Sequence, residues 1–318
     1  MTTKSKVPQI RFKGFSEEWE EKELNEILEV LDGDRGHNYP KENDLQKEGH
    51  TLFLSASNVT LNGFRFIDSK YITKTKSDIM GNGKLELDDI VLTSRGSLGH
   101  IAWYSRDICQ KIPFARINSG MLILRPKNNT KPSFVSQFLK SPLGKKKIDL
   151  ISFGSAQPQL TKKDVSKYTL VKPINITEQT KIGDYFQQLD KLIEQKEKKY
   201  QKLKQFKKAM LDKMFPKNGA DTPEIRFKGF SGKWEEKKLG ELIEFIVDNR
   251  GKNPRYYCNE GIPVIDNFMI KNNYHPNLRE ATRFIDDNLF NNFIRKYVNP
   301  NDTIITLVGN GIGNITLV

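Results

Sequence analysis

The sequence predicts an α+β chain: a domain of mixed strands and short helices, then one long helix of coiled-coil type, then a partial second copy of the first domain. Three observations predict it. Residues near the start recur 215 positions later. A proline-free stretch between the copies repeats its apolar residues about every 3.5 positions. Each copy also holds an apolar run that stops at a cluster of glycines.

The first domain is read from the repeat. Pro8 to Gly36 aligns without gaps to Pro223 to Gly251, with 17 of 29 positions identical. Ile10-Arg11-Phe12-Lys13-Gly14-Phe15-Ser16 and Trp19-Glu20-Glu21-Lys22 in one copy match Ile225-Arg226-Phe227-Lys228-Gly229-Phe230-Ser231 and Trp234-Glu235-Glu236-Lys237 in the other. Trp19 and Trp234 fall at matched places in amphipathic segments and are expected to anchor cores. Asp89-Ile90-Val91-Leu92 followed by Thr93-Ser94-Arg95-Gly96-Ser97-Leu98-Gly99 reads as a buried strand and a glycine turn. Asp302 to Gly313 repeats that pattern at a similar offset. A period this long is two copies of a domain, not a solenoid. The reading is a first domain over 1–175, a helix over 176–217 and an incomplete second domain over 218–318. The second copy runs only to the counterpart of about Ala102, so a chain cut short, lacking a second long helix, is expected.

The helix is placed at Thr177 to Met214, which holds no proline and one glycine, Gly183. Thr177 is a suitable N-cap. Steps of four and three run through Ile182, Phe186, Leu189, Ile193, Lys196, Tyr200, Leu203, Lys207, Met210 and Met214, the spacing of a coiled-coil seam. A helix lying on its own domain is the other reading. Eleven lysines and five acids between Lys181 and Lys217 leave a narrow seam and a wide wet face, which favours a partner helix. Pro216 stops the helix, and Asn218-Gly219 begins a linker. Such a helix is about 55 Å long, more than one DNA turn of roughly 34 Å.

Composition narrows the function. The net charge is +13, from 52 Lys and Arg against 39 Asp and Glu, which favours a polyanionic partner, nucleic acid first and a membrane surface second. Cys109 and Cys258 build neither a disulfide framework nor a zinc site. The start lacks an apolar signal core and no run is long enough to span a bilayer, so a cytoplasmic protein is expected. Catalytic constellations fail one by one. Gly309-Asn310-Gly311-Ile312-Gly313 lacks the helix and acid of a dinucleotide fingerprint and reads as a strand-to-strand turn. No phosphate loop of the Gly-x-x-x-x-Gly-Lys type occurs. Four scattered histidines support no triad, and no metal or resident cofactor is expected.

Ile225 to Phe230 with Trp234-Glu235, following Met214-Phe215-Pro216-Lys217, resemble the start of a target recognition domain in the specificity subunits of type I restriction–modification systems. Gly154-Ser155-Ala156-Gln157-Pro158-Gln159-Leu160-Thr161-Lys162 resembles the segment that closes such a domain. Glu178-Gln179, Ile182 and Asp190 resemble the start of the family's long helix. The resemblance covers the whole chain and implies a non-catalytic subunit. Each recognition domain would read one half of a bipartite DNA target, and two antiparallel helices would set the distance between halves. Methylating and restriction subunits would assemble on it, carrying the S-adenosylmethionine and ATP chemistry themselves. Two rival classes remain: a catalytic restriction or methyltransferase chain, and a coiled-coil scaffold without DNA specificity.

Phosphates attract Lys and Arg, and base edges suit Arg, Asn, Gln and Ser. The candidate DNA contacts are therefore Arg35, Asn38, Arg95, Ser97, Ser155, Gln157 and Gln159, with Arg250, Asn253 and Asn310 in the second copy. Arg35 and Arg250 occur in both copies, so they suit phosphate or the fold better than a copy-specific base. The helix-pairing seam is Ile182, Phe186, Leu189, Ile193, Tyr200, Leu203, Met210 and Met214, which offers a second copy of the chain as a mate.

Overall fold

A computed structural model describes residues 7–127, 129–152, 158–247, 254–272, 275–292 and 297–318. The chain forms two compact units, Met1–Ala209 and Met210–Val318. At the centre of the first is an antiparallel sheet in the order Leu28–Asp32, Met121–Pro126, Ile90–Thr93, Ile101–Trp103. Its two inner strands are unbroken apolar runs because both faces of the sheet are covered. Alternation along each strand sorts the side chains between two cores. Leu122, Leu124, Ile90 and Leu92 join Leu24, Leu28, Phe134 and Leu139 on one side. Met121, Ile123 and Val91 join Leu52, Leu54 and Ile117 on the other.

Helices Pro132–Lys140 and Pro142–Ser152 supply the first of these cores. Pro132 takes the first helical position, where a missing N–H costs nothing. The second core rests on a sheet ordered Lys70–Ile72, Thr51–Leu54, Ala115–Ile117, whose last pair is parallel. The buried strand expected at Asp89 to Leu92 is thus found at Ile90–Thr93, and the turn after it places Gly96 and Gly99 at φ +72° and +77°.

The two ends of this domain meet. Glu20–Glu23 pairs antiparallel with Thr169–Lys172, and Lys172 Nζ lies 2.7 Å from a Glu20 oxygen. The chain then enters the helix Ile176–Lys213, within one residue of the expectation at each end. Its cap differs from the expectation: Asn175 Oδ1, not Thr177, accepts the free N–H of Thr177 at 2.8 Å. The buried Gln179 side chain accepts from the Lys131 N–H at 3.0 Å and donates to the Pro173 carbonyl at 2.8 Å. A Cβ on Gly183 would stand 2.3 Å from Ser133 Oγ, so glycine lets the long helix lie this close to Pro132–Lys140.

Trp19 packs edge-on against Phe134 at 5.9 Å and anchors the first core as expected. Trp234 does not anchor one: it is exposed, with its edge contact to Phe215. The second unit is thinner. Ile262–Pro263 pairs with Phe284–Ile285, and Thr303–Ile305 with Ile315–Leu317. That last pair is the hairpin expected around Gly309 to Gly313. Buried apolar side chains here include Met269, Ile270, Ile285 and Leu289. Among the described residues, no helix is long and apolar enough to cross a membrane.

Candidate nucleic-acid interface

Strand order decides what gathers at one end of the central sheet. Leu28–Asp32 and Ile90–Thr93 both run into that end, and the antiparallel Met121–Pro126 starts from it. Three loops therefore sit side by side: residues 33–38, 94–99 and 118–120. Hydrogen bonds join them. The Arg35 guanidinium donates to the Ser119 carbonyl at 3.4 Å and to Asp32 Oδ1 at 3.3 Å. Ser94 and Arg95 N–H groups donate to the Gly120 carbonyl at 2.8 and 3.2 Å. Leu160 N–H donates to the Ser94 carbonyl at 3.0 Å, which brings the exposed Gln159 beside them.

The Arg95 turn owes its shape to Thr93. That buried hydroxyl donates to the Ser97 carbonyl and accepts from the His100 N–H at 2.9 Å. The turn closes beneath, and Arg95, Gly96 and Ser97 face solvent. Arg35 is also exposed. The arrangement offers two guanidinium groups, a hydroxyl and an amide on one surface, suited to phosphate oxygens and base edges.

Asn38 is held differently. Its amide donates to the Ile79 carbonyl at 2.9 Å, tying its loop to residues 79–83. Asp34 does the same work more strongly, accepting from Gly36 N–H at 2.6 Å and Gly81 N–H at 2.7 Å. The Gly36 N–H above all, and the Gly81 N–H after burial is offset, hold the Asp34 carboxyl below its ordinary range. Beneath lies Arg116, buried in strand Ala115–Ile117. Its guanidinium donates to Ser77 Oγ at 3.0 Å and to the carbonyls of Ser77, Met80, Gly81 and Asn82 at 2.7 to 3.3 Å. Burial pushes its pKa down, opposed by the charges of Asp34 and Asp78. Neither Asp34 nor Arg116 stands out in the sequence as a positioning residue. Asp34-Arg35-Gly36 is a legible Asx turn, but nothing near Arg116 signals its burial.

Ser155, Gln157, Arg250 and Asn253 lie outside the described residues. Asn310 is exposed at the tip of the hairpin in the second unit, where Asn267 donates to the Val308 carbonyl at 2.8 Å. Along the seam, Ile182 packs against the first core. Phe186, Leu189, Ile193, Tyr200 and Leu203 are exposed, and Met210 and Met214 half-buried. Among the described residues, no group of three or more His, Cys, Asp or Glu could hold a metal ion.

The family described as type I restriction modification DNA specificity domain matches residues 16–205. No curated protein sequence matches. The fold is similar to the S subunit of the type I restriction–modification system from M. genitalium, with 20% identity over 63% of this chain and 46% of that one, TM-score 0.42. It is also similar to the HsdS subunit from Thermoanaerobacter tengcongensis, with 18% identity over 65% and 46%, TM-score 0.41. The match thus spans less than half the length of these solved chains.

Proposed function

Because this chain belongs to the family of type I restriction–modification DNA specificity domains, we propose that it reads DNA sequence through the loop end of its first domain. The observation that carries this is the convergence of Arg35, Arg95, Ser97 and Gln159 on one exposed surface, joined through Ser119 and Gly120. The chain performs no chemistry itself. It directs a methylating subunit, which binds S-adenosylmethionine, and a restriction subunit, which binds ATP, to the chosen site in the cytoplasm. Arg35 holds phosphate, being shared by both copies, and Arg95 with Gln159 reads bases. The uncovered seam from Phe186 to Met214 pairs with the same helix of a second copy, so the target is a symmetric repeat of one half-site.

Duplex binding by the chain with its methylating subunit tests the reading. Affinity should fall steeply with salt as phosphate contacts release counterions. Arg95→Ala should weaken the selected site by about 1–3 kcal/mol and relax its specificity. A flat salt response, or selectivity untouched by Arg95→Ala, would overturn the assignment. Light scattering that finds a monomer would overturn the pairing alone.

A further inference from the structure

The opening segments of the two copies share a local conformation. Gly14 and Gly229 both turn at positive φ, +93° and +97°, between matched phenylalanines. In the first copy this turn is filled. Arg11 Nε and Nη2 donate to the two Glu178 carboxylate oxygens at 2.6 and 2.8 Å, with side chains 11% and 1% exposed. Phe12 meets Tyr185 edge-on at 5.9 Å, and the Lys181 ammonium lies 5.0 Å from the Phe15 ring centre. Positions 178, 181 and 185 share one face of a helix. The segment is thus a socket for a helix start: a guanidinium for a carboxylate, a ring edge for an aromatic, and a ring face for a cation.

Arg226, Phe227 and Phe230 repeat that equipment. Phe227 and Phe230 are each 70% exposed. Among the described residues, Arg226 meets the Gly232 carbonyl and the Trp234 ring, both within its own segment. Glu178 is already held by Arg11. No other stretch of the sequence carries a glutamate with a lysine three and an aromatic seven residues later. The chain therefore has two sockets and one helix start to fill them.

We infer that residues 223–234 dock a second helix start, supplied in trans, that carries a glutamate, a lysine three residues on and an aromatic four further. Arg226 takes the carboxylate, Phe227 the aromatic and Phe230 the cation. A labelled peptide of residues 174–192, stapled between the exposed positions 184 and 188 to hold it helical, can be titrated into the full chain. Saturable binding is expected, weakened roughly tenfold or more by Arg226→Ala in the chain or Glu178→Ala in the peptide, since a charge-assisted pair is lost. Pairing an Arg226→Glu chain with a Glu178→Arg peptide should restore it. No saturable binding to the wild-type chain overturns the inference. So does binding that Arg226→Ala leaves intact and Arg11→Ala removes, because the peptide would then be exchanging into the first socket.

Discussion

Leu24 and Ile27 are 1% and 6% exposed, whereas Leu239 and Leu242, their counterparts 215 positions on, are 63% and 66% exposed. Both pairs lie on a single helical turn, Leu24–Ile27 and Leu239–Leu242. The hairpins agree as closely. Glu86 N–H donates to Asp89 at 2.7 Å, and Asn299 N–H to Asp302 at 2.7 Å. Gly99 N–H bonds the Thr93 carbonyl as Gly313 N–H bonds that of Thr306, both at 2.9 Å. Local structure follows local sequence, so two copies of the sequence give it twice. Burial is a long-range property. In the first copy it comes from Met121–Pro126 and the helices after it. Among the described residues, the second copy has nothing in their place.

That contrast can be broken most directly at the single helical turn. Leu24→Ala should cost about 3 kcal/mol in denaturant unfolding of the first unit, as for a filled core site left hollow. Leu239→Ala should stay within about 0.5 kcal/mol, as for exposed positions. Equal losses would mean that the second copy has a core of its own. A smaller contrast lies in the hairpins. Thr93→Val removes two hydrogen bonds and should cost about 1–2 kcal/mol. Thr306 Oγ1 is buried with no partner among the described residues. Thr306→Val should therefore be neutral or mildly stabilising, and a matching loss there would contradict the difference.

The smallest effect expected is on the acid side. Asp34 has its carboxyl lowered by the Gly36 and Gly81 N–H groups. A lowered carboxylate contributes stability above its unfolded pKa of about 3.9 and loses it as pH falls through the folded value. Asp34→Asn should flatten the acid limb of the first unit's stability below about pH 4. The second copy has Asn249 at the matched position and cannot lose stability this way. An acid limb unchanged in the variant would show that other carboxylates set it.

Much of the local structure was legible. The 3.5-residue spacing placed the long helix to within a residue, and the run before Gly96 marked a strand. What could not be read was pairing at a distance. No pattern within Leu28–Asp32 tells that its neighbour is Met121–Pro126, and that pairing sets Ser119 between Arg35 and Arg95. Arg116 looks like any other cation of a basic chain until burial shows it bonding carbonyls. Trp234 misled for the same reason in reverse: its segment is amphipathic, but its cover would have to come from elsewhere.

The pairing of Glu20–Glu23 with Thr169–Lys172 has a consequence for how such proteins can change. Everything between those strands, the loop end included, leaves and rejoins the chain at one two-stranded stalk. Ends so close permit a domain to be exchanged whole. Two crossovers in the gene, one near codon 20 and one near codon 172, would swap the entire recognition surface. The Arg11–Glu178 clasp and the long helix would pass through untouched. Novelty in what is recognised and constancy in what assembles are kept on separate stretches of the same gene.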